Sequence, residues 1–446
     1  MERFSLRICF PLLCCLLLGV AACGSVPGPN GQTQSASPGQ LASSSNAQNN
    51  AAAGSRAGVN AATQAMPPTA RACPAAGTAR ALLTTHLASG SHNNLVYIVN
   101  EFAAGGNPPP VAGTLKRLDI TSGIKTVIVG IPQASIENAQ ISADGQWILF
   151  TTSSTAQTKL QAVRMDGQGL QTLYCTPGAG QGIPQWSSDQ KHVIFSSSGS
   201  GVETVFLLTM ATGSLQSELR VPDSGAGQGV VVHTWLDNSH VYLSNIQIDQ
   251  PPDRIYILNI NNGPNQDVQS LPTLVNKTYG DFDSSYDGRQ LYVDYGYCSQ
   301  GGCAAPSSIT VEPAGGGAQT TIFHDAHYDA VTVRAVTPAT LLILIRNDEA
   351  FGTSDRSHNG LWKMKPDGSG LTRLISDAPH AGSNLNAATQ FPWSNVSRDQ
   401  RLYALQTISD SHVFTLAYGP LSGGTPTVFA SLGDGTAMEI AGWTLM

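Results

Sequence analysis

The run Ile141–Cys175, ISADGQWILFTTSSTAQTKLQAVRMDGQGLQTLYC, decides the fold. It reads as strand, tight turn, strand, loop, strand, tight turn, strand. Asp144-Gly145 and Asp166-Gly167 are turn pairs: glycine accepts a positive φ, and the aspartate can bond its own backbone. Between them lie short apolar runs such as Trp147-Ile148-Leu149-Phe150, rich in β formers and too short for a helix. Variants of this unit recur down the chain, and recurrence at a fixed period predicts a repeat architecture.

The units can be followed in order. The first covers Leu95 to Val129 around Leu95-Val96-Tyr97-Ile98-Val99. The third opens at Gln185-Trp186-Ser187-Ser188-Asp189 and the fourth at Thr234-Trp235-Leu236-Asp237. The fifth holds Ser285-Tyr286-Asp287-Gly288, and the sixth Leu341–Ile345 with Leu361-Trp362-Lys363-Met364. The seventh opens at Pro392-Trp393-Ser394. Asp144, Asp189, Asp237 and Asp287 follow one another at 45, 48 and 50 residues, within the span of a propeller blade. The sixth unit lacks the Asp-Gly pair after its first strand.

The middle strands are apolar at consecutive positions, as expected of strands covered on both faces. The fold expected is all-β, a seven-bladed β-propeller, with six or eight blades as the alternatives. Residues 439–444 (EIAGWT) look like an opening strand at the end of the chain, while the first unit lacks one. The last strand is therefore expected to complete the first blade and close the ring.

The repeats resemble the WD40-like propeller repeats of the TolB type, roughly W-S-P-D-G, an apolar triplet, then I-Y-x-M-x-x-D-G-x-x-x-x-L. Gln140 to Leu173 and Trp362 to Leu374 match best. TolB carries an α/β domain before its propeller. No such region is apparent here, so its Tol–Pal partnership is not carried over.

Three segments are expected. Residues 1–22 read as a signal peptide, with Arg3 and Arg7 before an apolar run from Ile8 to Val20. That run is too short to span a bilayer. It ends in Val20-Ala21-Ala22-Cys23, which resembles the lipobox of bacterial lipoproteins. The resemblance implies cleavage before Cys23 and acylation of its thiol. Gly24 in the next position resembles the class sorted to the outer membrane of a two-membrane cell. Residues 23–72 form a tether: between 24 and 70 there is one charge, Arg56, and little but Gly, Ser, Ala, Asn, Gln and Pro. Such a chain cannot bury enough apolar surface to order itself, and as a coil it spans about 40 Å. Residues 73–446 are the propeller, led by 78–90, which reads as a short helix or an outer strand.

Charged residues make up 12% of the chain, net charge is −7 and the pI is near 5.8. This excludes the basic stripe of a nucleic-acid binder and electrostatic docking on anionic lipid. There is no G-x-S-x-G, H-E-x-x-H, phosphate-binding or dinucleotide-binding motif. No cofactor is expected. His324, His327 and Asp329 lie close enough in sequence to be metal-ligand candidates, but a polar loop explains them as well and no metal is committed. In an exported chain disulfides can form. Cys298 and Cys303 enclose only four residues and are expected to pair, leaving Cys73 and Cys175 to pin the lead-in segment to the second blade.

The long connections 103–113, 295–307, 347–360 and 376–390 fall on one face of the disc, and the tight Asp-Gly turns on the other. Function concentrates on long loops held by a rigid scaffold. The expectation is a membrane-tethered extracytoplasmic binding or scaffolding module for protein, peptide or glycan, located in the bacterial cell envelope. The alternative is an exported lyase or hydrolase with its site at the channel mouth.

Overall fold

The computed structural model describes residues 68–446 apart from 83–86, 88–89, 104–108, 178–181, 200–201, 223–228, 247–250, 297, 300–301, 304–306, 326–328, 347–356, 377–393, 409–412 and 434. Seven small antiparallel sheets form a ring, a seven-bladed β-propeller. Blade 1 holds β1 (Asn93–Phe102), β2 (Pro110–Asp119) and β3 (Lys125–Pro132). Blade 2 holds β4 (Ser135–Ile141), β5 (Trp147–Ser153), β6 (Gln157–Arg164) and β7 (Gln171–Pro177). Blade 3 is β8 (Gln185–Trp186), β9 (His192–Gly199), β10 (Val202–Thr209) and β11 (Ser214–Pro222). Blade 4 is β12 (Gly229–Trp235), β13 (His240–Ile246), β14 (Arg254–Asn259) and β15 (Thr273–Asn276).

Blade 5 is β16 (Asp281–Ser284), β17 (Gln290–Asp294), β20 (Ser307–Pro313) and β21 (Thr320–Asp325), with a small hairpin inserted, β18 (Cys298–Ser299) and β19 (Gly302–Cys303). Blade 6 is β22 (Asp329–Thr337), β23 (Thr340–Arg346), β24 (Gly360–Met364) and β25 (Thr372–Ser376). Among the described residues blade 7 has β26 (Leu402–Ile408), β27 (Phe414–Pro420) and β28 (Thr427–Leu432), with a bridge from Val396 to Tyr403 at the place of an opening strand. The final strand, β29 (Thr436–Leu445), joins blade 1 beside β1, with Leu95 opposite Trp443. The ring closes as the unpaired terminal strand requires.

The continuous apolar runs divide between two cores. In β5, Ile148 and Phe150 pack with Val96, Ile98 and Leu115 of blade 1. Trp147 and Leu149 pack the other way, with Trp186, Val193 and Phe195 of blade 3. Side chains alternate across a strand, so a strand apolar at every position glues its blade to both neighbours. Each fully buried Leu, Ile or Phe contributes about 1.5–3 kcal/mol.

The repeated turn has one construction. In blades 2, 3, 5 and 7 a serine hydroxyl donates to the aspartate two residues on: Ser142 to Asp144, Ser187 to Asp189, Ser285 to Asp287, Ser397 to Asp399, at 2.5–2.7 Å. The same serine oxygens accept the N–H groups of Trp147, His192, Gln290 and Leu402. The residue after the aspartate takes a positive φ: Gly145 (74°), Gln190 (60°), Gly288 (69°) and Gln400 (57°). Two of these are glutamines, in a conformation that costs an L-residue roughly 1–2 kcal/mol.

Residues 78–82 are neither helix nor strand; the expectation of one or the other is corrected. They form an extended strap. The Arg80 N–H donates to Leu173 O at 2.9 Å and the Leu82 N–H to Met210 O at 2.8 Å, while Ala79 and Leu82 pack on the core between blades 2 and 3. An isolated strap satisfies its backbone on two blades in turn, so it never builds the ladder that would make it a strand.

Candidate functional site

The cysteines come first. Cys73 and Cys175 form a disulfide, with Cα atoms 5.8 Å apart across 102 residues of sequence. The bond ties the strap to β7 of blade 2. This is the pairing that the sequence offers only as the remainder once Cys298 and Cys303 are matched, since a docked strap leaves no short spacer to read. Cys298 and Cys303 are paired directly opposite each other in the β18–β19 hairpin, and their side chains lie outside the described ones. Cys23 precedes the described residues. His324 is exposed near the end of β21; His327 and the Asp329 side chain lie outside the description. Among the described residues no three His, Cys, Asp or Glu side chains gather as a metal site.

Most of the ionisable groups that the fold does bring together lie on the inner strands, with Glu203 farther out on β10. The first strand of each sheet has an edge that no strand covers, and an uncovered edge presents unpaired N–H and C=O groups. Side chains of the preceding blade cap these edges. Asn100 of blade 1 grips both backbone groups of Ile136, at 2.9 and 2.8 Å. Gln140 of blade 2 accepts from the Trp186 N–H at 3.2 Å and donates to the Gln185 side chain at 2.6 Å. Glu203 of blade 3 accepts from the Val230 N–H at 2.8 Å. Asp281 and Asp283 of blade 5 accept from the N–H groups of Val333 and Ala335, at 3.0 and 2.9 Å. Arg398, between blades 7 and 1, donates to Trp443 O at 3.1 Å and reaches Ala143 O and Ser142 O of blade 2 at 2.8 and 3.0 Å.

Charge follows this geometry. Arg334 of β22, 1% exposed, is paired with Asp281 at 2.5 Å. Burial pushes the Asp283 carboxyl up to about 7, against the opposing pull of Arg334. His233 stacks on Phe282 with ring centroids 3.8 Å apart, and burial, then the Arg334 charge, hold its pKa down to about 3. It is therefore neutral at ordinary pH. Burial, then the neighbouring Glu137, push Glu439 of β29 up to about 7. Glu137 is raised too, chiefly by burial, with the Ser135 hydroxyl opposing. By area His233, Glu137 and Glu439 keep some exposure, yet protein surrounds them at depth. Burial is the largest cause of each shift and sets its direction.

The chemistry open to this ring is limited. Asp281, Asp283 and Glu203 are engaged on main chain, and the neutral, stacked His233 is a poor general base. Sequence reading missed all of these residues. The signal for them is an acid or amide at an inner-strand position, such as Asp281 and Asp283 flanking Phe282 in β16.

No family model matches the sequence, and no curated protein matches it. Solved structures do resemble the fold. Prolyl oligopeptidase B from Galerina marginata is similar with a TM-score of 0.52 at 11% identity, covering 79% of this chain and 51% of that one. A structure from a study of two prolyl endopeptidases gives 0.52 at 11% identity, covering 77% and 50%. TolB from Acinetobacter baumannii gives 0.42 at 14% identity, covering 63% of each chain. The chain spans about half the length of the prolyl oligopeptidases it matches. The two likenesses at a TM-score of 0.52 agree with the β-propeller seen in the sheet topology.

Proposed function

We propose that this chain is an exported lipoprotein, acylated at Cys23 and held to an envelope membrane by the spacer 23–72. Its propeller binds protein, peptide or glycan without catalysis. The observation that carries the binding reading is the asymmetry of the disc. On one face the Ser–Asp turns are short and satisfied within themselves. The strands that flank the long connections 347–359 and 377–395 have their ends toward the other. Rigid scaffolds carry recognition on such loops. The Cys73–Cys175 disulfide supports an oxidising compartment and hence export.

The anchor is tested by metabolic labelling with a fatty acid: wild type should incorporate it, and Cys23→Ser should not and should leave the membrane fraction. Equal labelling of both would end the lipoprotein reading. The binding face is tested with photo-crosslinking residues placed singly in 347–356 and 377–393, and at Asp166 and Asp367 on the tight-turn face. Macromolecular adducts are expected from the first set alone.

One observation favours an enzyme instead, the neighbouring carboxyls of Glu137 and Glu439, both raised by burial, Glu439 to about 7. Hydrolytic or lyase activity lost in Glu439→Gln, with the fold intact, would establish that alternative.

A further inference from the structure

Blade 6 breaks the pattern of the tight-turn face. Its first turn holds two residues (338–339), where blades 2, 3 and 5 hold five (142–146, 187–191, 285–289). The missing length leaves a notch between the first turns of blades 5 and 7. Across that notch the Gln400 amide donates to the Tyr286 hydroxyl at 3.5 Å. On the blade 7 side lies a cleft of about 490 Å³, walled by Leu402, Pro420 and Leu421 and lined by Gln400, Lys363 and Arg401. That volume is within the range of small-ligand sites.

Two cations line this cleft and no carboxylate does. The Lys363 ammonium is fixed by donating to Leu421 O at 2.8 Å, which leaves two of its three donors unspent. The Arg401 guanidinium makes no hydrogen bond or salt bridge among the described residues, while its backbone is anchored: Leu421 N–H donates to Arg401 O at 2.7 Å. Asp399, two residues away, feels the Arg401 charge but makes its hydrogen bonds within its own turn, to the Ser397 hydroxyl and the Arg401 N–H. In a chain of net charge −7, two cations on the wall of one apolar cleft, with no carboxylate in its lining, mark a place for an anion.

We propose that this cleft binds a small organic anion, its carboxylate or phosphate gripped by Lys363 and Arg401 and its apolar or ring-shaped body laid on Leu402, Pro420 and Leu421. The site is separate from the long-loop face and does not depend on that face binding anything.

Calorimetric titration of the full-length protein with glucuronate, N-acetyl-Ala-Ala and inorganic phosphate tests it, the three probes separating acidic sugar, peptide carboxylate and phosphate. At least one should bind with Kd of about 1 mM or tighter, and more weakly as salt rises. Arg401→Ala should weaken that probe about tenfold, the scale of one charged hydrogen bond. Arg401→Lys should retain most of the affinity, and the neutral amide of a carboxylate probe should not bind. Because the exposed guanidinium makes no hydrogen bond or ion pair among the described residues and only a solvent-screened attraction to Asp399, the melting temperature of Arg401→Ala should lie close to wild type. The proposal is overturned if none of the three probes binds at about 10 mM. It is equally overturned if Arg401→Ala binds as well as wild type, or if the neutral amide binds as well as the acid.

Discussion

Trp443 is the residue on which ring closure can be measured. It lies on β29, opposite Leu95 of β1, and is 0% exposed. It shares a core with Leu95, Tyr97 and Met438 of blade 1 and Ala404 and Leu416 of blade 7. Tyr418 meets its ring edge-on, with centroids 6.3 Å apart. Trp443→Ala removes a large ring from a site framed by two sheets that are hydrogen-bonded elsewhere and cannot collapse far. The expected loss is about 3–5 kcal/mol. For a folded unit of some 380 residues, the usual unfolding entropy per residue converts about 4 kcal/mol into a fall of roughly 5 °C in Tm.

Trp443→Phe separates packing from hydrogen bonding. The indole N–H has no acceptor among the described residues, and an unsatisfied buried donor costs about 1–3 kcal/mol. Phenylalanine loses part of the ring but also that cost, so it should destabilise by only about 1 kcal/mol. Calorimetry and urea denaturation of the three proteins give the answer. The reasoning fails if Trp443→Phe is as damaging as Trp443→Ala, or if Trp443→Ala moves the midpoint by less than about 1 kcal/mol.

Four further outcomes are expected. Gln190→Gly should stabilise the protein by about 0.5–1 kcal/mol, because φ of 60° strains glutamine more than the added chain entropy costs; a lower denaturation midpoint would contradict this. Glu439 is raised to about 7 from an ordinary carboxyl value, so its folded form holds a proton that the unfolded chain releases. Stability should fall as pH rises from about 4.5 to 7 and level off above, and Glu439→Gln should remove that part of the fall. His233, held down to about 3, acts oppositely, gaining stability as pH rises from about 3 to 6.5, so the variant-minus-wild-type difference is the quantity to plot. Non-reducing peptide mapping should join Cys73 to Cys175; Cys175→Ser should cost about 2–4 kcal/mol and expose the strap to protease. The same map should join Cys298 to Cys303, and free thiols at both would refute that pairing.

The blades were legible because each is specified within about 45 residues by signals that do not need the fold. A serine two residues before an aspartate makes its turn locally, and an apolar run without alternation can only be a strand covered twice. Closure was legible for the same reason: Trp443 sits where Trp186 and Trp235 sit in their own units. The strap was not legible. Arg80 and Leu82 hold it through backbone bonds to Leu173 and Met210, which no side-chain pattern announces.

The inner polar ring was hidden by a different cause. Asp283 carries out its role only because Ala335, 52 residues later, turns its N–H toward it. That depends on the register of two neighbouring blades and on bulges such as the ones in β22 at Ala330/Thr332 and Ala335/Thr337. A bulge shifts which groups face an edge without leaving a mark in residue type. The blade 6 notch lies between these cases. The missing Asp-Gly pair is visible in Thr337-Pro338-Ala339-Thr340, and the cleft follows from it physically, since a turn three residues shorter cannot fill the space its neighbours leave. A departure from a repeat is thus the most informative residue pattern in such a chain. The repeat encodes the scaffold, and the blade that breaks it uncovers Lys363 and Arg401.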